Sequence, residues 1–89
     1  MGGIVVIDVE KIEQLIEERK QIPVYDDISA LSKAEDIFLA LGDDEDEVYK
    51  YLKSLDWETF DWMTECYEEI SAKFDSDRIE ELFHNHNHN

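Results

Sequence analysis

The chain has 89 residues, with 24 Asp/Glu against 8 Lys/Arg and a formal charge of −16. A compact body this acidic repels itself, stays soluble and attracts cations. The balance excludes the usual nucleic-acid binder, which neutralises phosphates with Lys and Arg, and 43% hydrophobic residues exclude wholesale disorder.

The β-branched start, Gly3-Ile4-Val5-Val6-Ile7, admits a short strand. Asp8 follows as an N-cap, with Ile7 before it and Ile12 four positions into the helix, in the arrangement of a hydrophobic staple. A first helix is predicted to about Lys20. Val9, Ile12, Leu15, Ile16 and Arg19 lie on one side, and Glu10, Glu13 and Glu17 on the other. Pro23 ends it, leaving Gln21–Tyr25 as a loop or extended segment. A parallel pairing of Ile22–Tyr25 with Ile4–Ile7 is the less favoured alternative, because Pro confines such a strand to an edge.

Ser32-Lys33-Ala34-Glu35 reads as a capping box that opens a second helix, ending at Leu41 with Gly42 as its left-handed stop. On it Leu39 points away from Ala34, Ile37, Phe38 and Leu41, and a second buried face is the simpler expectation for it. Asp44-Glu45-Asp46-Glu47 caps a third helix with acid at its positive end, carrying Val48, Tyr51, Leu52 and Leu55 on one stripe. Asp56 caps the longest predicted helix, Trp57 to about Phe74, with Phe60, Met63, Tyr67, Ile70 and Phe74 as its buried stripe. Asp75-Ser76-Asp77 breaks and recaps the chain before a short helix, Arg78–Phe83.

The fold expectation is therefore mainly α: one small domain over residues 1–83, a bundle of about five helical segments. The closing alternation His84-Asn85-His86-Asn87-His88-Asn89 has the pattern of an engineered metal-affinity tag and is set aside. Without it the chain contains no histidine, which removes the commonest general acid/base and neutral metal ligand.

No Ser-His-Asp or Cys-His set is then possible, and there is no CxxC pair, HExxH or Gly-rich phosphate loop. Cys66 is expected to be packing, since Glu65 and the negative field oppose thiolate formation. The run Asp43-Asp44-Glu45-Asp46-Glu47 is not an EF-hand loop, because Val48 and Ser54 occupy the places of its Gly and bidentate Glu. No catalytic residue, metal or cofactor is expected.

What remains is a contact surface. Helical spacing sets Trp62 away from the Phe60–Phe74 stripe, flanked by Glu58, Glu65, Glu69 and Lys73, which is the composition of an aromatic anchor in a charged frame. The other readings are ordinary core for Trp62 and, for Asp43–Glu47, a solvated helix start or a weak calcium or magnesium contact of the carboxylate cluster. Tyr49, off its own stripe beside the acidic run, is a further candidate contact. Tyr25-Asp26-Asp27 reads equally as a loop-tip contact and as a turn.

The segment Trp62–Leu82, with Glu68-Glu69-Ile70-Ser71-Ala72-Lys73-Phe74, a Ser76 recap, then Ile79 and Leu82, resembles the helical ending of small bacterial immunity-type proteins. The resemblance implies a helical protein that neutralises a toxin. In length, acidity, β-like start and the placing of Pro23 and Tyr25 ahead of an acidic helix, the chain also resembles barstar-like ribonuclease inhibitors, but without their strand-rich second half. Neither resemblance assigns a role to an individual residue.

The leading expectation is a cytoplasmic, non-enzymatic inhibitory protein that caps a basic protein partner, with no nucleic-acid or membrane partner. A nucleic-acid mimic that blocks a DNA-binding or defence enzyme is the first alternative. A structural or adaptor module cut from a larger protein is the second. Monomer and homodimer both stay open.

Overall fold

The structure, a computed structural model, describes residues 7–87. Every regular element among them is helical: α1 (Val9–Lys20), α2 (Asp27–Leu41), α3 (Glu45–Ser54), α4 (Trp57–Met63), a 3-10 turn (Thr64–Cys66), α5 (Tyr67–Phe74) and α6 (Asp77–Asn87). The N-terminal strand expectation falls on Gly3–Val6, outside the described residues, and Ile7 is non-helical coil. No helix among the described residues is long and apolar enough to cross a membrane.

The chain forms two compact units divided after Gly42. In the first, α1 packs on α2. The Asp8 carboxylate accepts from the Lys11 N–H at 3.1 Å, as its N-cap position requires. Ile12 and Ile16 are buried on α1, and Ala34, Ile37 and Leu41 on α2. Lys33 reaches across to Glu18 at 2.6 Å.

Ile22–Tyr25 forms the loop expected at Pro23 and not the strand of the less favoured alternative: the Ile22 N–H donates to Arg19 O, and the Asp26 N–H donates to Pro23 O, so the segment closes as turns. Ser32, against expectation, is not a cap. Asp26 takes that position six residues earlier, its carboxylate accepting from the Ser29 N–H at 3.1 Å. Once that cap starts the helix, nothing in Ile28–Leu31 stops it, and Ser32–Glu35 becomes helix interior. Gly42 does end α2, with φ of 78° and ψ of −160°. That backbone is outside the left-handed helical well and still strongly favours glycine.

The second unit is organised around α6, which contacts α3, α4 and α5. Asp44 and Asp56 cap α3 and α4 as expected. Asp75 takes the left-handed conformation (φ 46°, ψ 48°) that ends α5, a backbone that Asp tolerates better than most residues. The core holds Val48, Tyr51 and Leu52 from α3, Phe60 and Met63 from α4, Cys66, Ile70 from α5, and Ile79 and Phe83 from α6. Phe83 packs its ring 4.8 Å from Phe60 and 5.0 Å from Tyr67.

The expected single helix from Trp57 to Phe74 is interrupted by the 3-10 turn, and this corrects its stripe. A 3-10 residue turns about 120° against about 100° in an α-helix. Three such steps carry Cys66 back into line with Met63, and both are fully buried. Tyr67 is carried off the line and is 37% exposed. Leu39 is also corrected: no second face covers it, and it is 62% exposed. Finally, α6 does not stop at Phe83 but continues through Asn87, into the segment set aside as a tag.

Candidate binding surface

Consecutive acids at Asp43–Glu47 gather at the start of α3 because a helix N-terminus presents unsatisfied N–H groups and positive dipole. Asp44 Oδ1 accepts from the N–H groups of Asp46 (3.0 Å) and Glu47 (3.3 Å). The recap at Asp75–Asp77 brings Arg78, in the first turn of α6, against the same end. Its Nε and Nη2 donate to the two Glu45 carboxylate oxygens at 2.8 and 2.5 Å, a bidentate pair, and Nη2 also reaches Asp46 at 3.1 Å. The Ser76 hydroxyl donates to Glu45 Oε2 at 2.5 Å.

Lys50 pairs with Asp46 at 3.0 Å, one helical turn on, and lies 3.9 Å from Glu47. Lys73 pairs with Asp43. The Arg78 fork holds the Glu45 carboxyl down to about 2, with the Ser76 hydroxyl adding to the effect. Asp46 is lowered chiefly by Lys50 and then by Arg78. Arg78 is raised in turn by Glu45, and Lys50 by Asp46.

The five-acid run is thus the hub of an ion-pair network within the second unit. Tyr49 belongs to it: Arg78 stacks over its ring at 4.3 Å, and Lys53 lies 5.7 Å from the ring centroid. Sequence periodicity placed Tyr49 beside the acids. It held no signal for Arg78, which is 29 positions further along the chain.

The other candidate residues lie on a separate stretch of the same unit. Trp62, on α4, is half-buried, between the two expectations of open anchor and closed core. Glu58, Glu65 and Glu69 are exposed. The sequence reading missed Trp57, which is 56% exposed yet stacks on His86 with ring centroids 4.7 Å apart. His86 also lies 4.8 Å from the Phe60 ring and 3.1 Å from Asp61 Oδ1. Excluding residues 84–89 from the fold hid that contact.

The first unit carries a surface of another kind. Val24 (96%), Tyr25 (85%), Ile28 (83%), Leu31 (72%) and Leu39 are all exposed. At Leu39, between α1 and α2, lies a shallow groove of about 560 Å³ lined by Lys11, Leu15, Asp36, Leu39 and Ala40. Starting the second helix at Ser32 concealed the spacing of Ile28, Leu31 and Leu39. Reading Asp26 as the cap would have displayed it.

Among the described residues no group of three or more His, Cys, Asp or Glu could hold a metal ion. Cys66 is a buried thiol. Comparison with protein-family models, curated proteins and solved structures gave no match.

Proposed function

We propose that this chain is an inhibitory binding protein of the immunity or antitoxin kind, acting in the cytoplasm on a basic partner such as a toxin nuclease. One observation carries the reading. Residues 43–89 contain 15 Asp/Glu and 4 Lys/Arg, an excess of eleven negative charges. All four cations are engaged inside that unit: Lys50, Lys73 and Arg78 with the acidic run, and Lys53 over Tyr49.

Internal compensation is therefore concentrated at the start of α3. Whatever the pairing, the unit keeps its net excess of acid, and Glu58, Glu65 and Glu69 are exposed on it while Trp62 is half-buried. Such a field steers a basic partner and raises association rates by roughly ten- to a thousand-fold. Trp62 is the side chain suited to anchor the contact once water is excluded. The Asp43–Glu47 run adds to the field while holding α3 to α6.

The test is affinity capture from the source cell at low and high salt, followed by association kinetics with the captured protein. A basic protein should be retained at low salt and released at high salt, with an association rate that falls steeply as exposed charges are screened. Turnover of a substrate by the chain, or capture indifferent to salt, would overturn the proposal.

A further inference from the structure

Helix α2 is apolar on two opposite sides. Ala34, Ile37 and Leu41 face the core. At about 100° per residue, Ile28, Leu31 and Leu39 fall together on the other side, and exposed Val24 and Tyr25 stand just ahead of its cap. A stripe of large aliphatic side chains this exposed is unusual on a small soluble protein and marks an interaction site.

The charges that α2 places around the stripe have one sign. Asp27 flanks it on one side, Asp36 on the other, and Glu35 interrupts it. Lys33, the helix's single cation, is turned to Glu18 at 2.6 Å. The one cation bordering the adjacent groove is Lys11, on α1, and it shares that lining with Asp36.

We infer that this face, with the groove beside Leu39 at one end of it, is a docking surface for a cationic amphipathic helix of the partner, with aliphatic residues laid along Ile28, Leu31 and Leu39 and Lys or Arg set against Asp27, Glu35 and Asp36. The 15-residue α2 is about 22 Å long at about 1.5 Å per residue. That length matches a single helix of about four turns bound through i, i+3 and i+7 anchors. A second copy of the chain would bring Glu35 and a charge of −16 against their like. The inference rests on the basic-partner reading above and adds to the Trp62 contact an apolar contact on the first unit.

The full chain is titrated with a labelled synthetic helix of Leu and Lys, leucines at i, i+3, i+4 and i+7, and with the same helix carrying Glu for Lys. The Lys helix should bind and the Glu helix should not. Ile28→Ser with Leu31→Ser should weaken binding by on the order of tenfold or more, as loss of two anchors does. Both positions are exposed, so the helical circular dichroism should be retained. Neutralising two acids elsewhere, Glu68→Gln with Glu81→Gln, should change binding little.

Glu35→Lys provides a second variant: it should weaken binding of the Lys helix. Binding unchanged by Ile28→Ser with Leu31→Ser, or lost equally with Glu68→Gln and Glu81→Gln, would overturn the docking surface while leaving the acidic-binder reading standing. A wild-type dimer that those two serines convert to monomer would overturn it in favour of a second copy. Failure of the Lys helix to bind would overturn the α2 inference alone, whereas capture of a partner indifferent to salt would overturn the basic-partner reading beneath it.

Discussion

Glu45 shows what the acidic run does at the level of single residues. Its carboxylate sits where the α3 dipole is positive and receives both arms of the Arg78 guanidinium and the Ser76 hydroxyl. With the folded pKa lowered from 4.5 to about 2, its contribution is fully present above pH 4.5 and is lost as pH falls from 4.5 to about 2. Glu45→Gln should therefore be less stable than the parent chain at neutral pH, and the two should converge as pH approaches 2. Acid unfolding followed by circular dichroism measures this, and a gap constant across that range would contradict it. The acids themselves were legible from the sequence as a capped helix start. Arg78 was not, because its pairing depends on where the Asp75–Asp77 break aims the next helix.

At the scale of elements, caps decide more than propensity does. Asp8, Asp26, Asp44 and Asp56 each accept backbone N–H bonds at the start of a helix. Three of these positions were readable directly, whereas Asp26 was masked by the later Ser32–Glu35 pattern. The two starts are separable by mutation. Ser32→Ala should leave thermal stability within about 0.5 kcal/mol of the parent, since alanine suits a helix interior, whereas Asp26→Ala should lower it by exposing the first turn.

The 3-10 turn is the other lesson at this scale. Apolar spacing alone runs a uniform helix through Thr64–Cys66, and only packing reveals the overwound step that brings Cys66 beneath Met63. Met63 is fully buried, so Met63→Ala should cost about 2–5 kcal/mol in denaturant unfolding. A cost typical of a surface site would contradict that placement.

Across the whole molecule, charge opposes compaction. Added salt weakens the local pairs and the general repulsion together, but with 24 acids against 8 bases the repulsion dominates. The thermal midpoint should rise with moderate monovalent salt, as self-repulsion is screened over a Debye length of about 10 Å at 0.1 M. A falling midpoint would mean that the Arg78 and Lys50 pairs outweigh the net field. The same excess of acid sets the character of both proposed contact surfaces, the exposed carboxylates of α4 and α5 and the acid-bordered stripe of α2, and the proposed basic partner follows from it.

From sequence alone came the mainly helical class, the stops at Pro23, Gly42 and Asp75, most of the core, and an acidity that favours cations. These are local or compositional properties, written in caps, periodicity and counts. Tertiary structure decided which acids are engaged internally, which aromatics are covered, and which face of α2 stays open. Each of those depends on residues far apart in the chain meeting in space, as Arg78 meets Glu45 and His86 meets Trp57. Helical periodicity carries no record of such meetings.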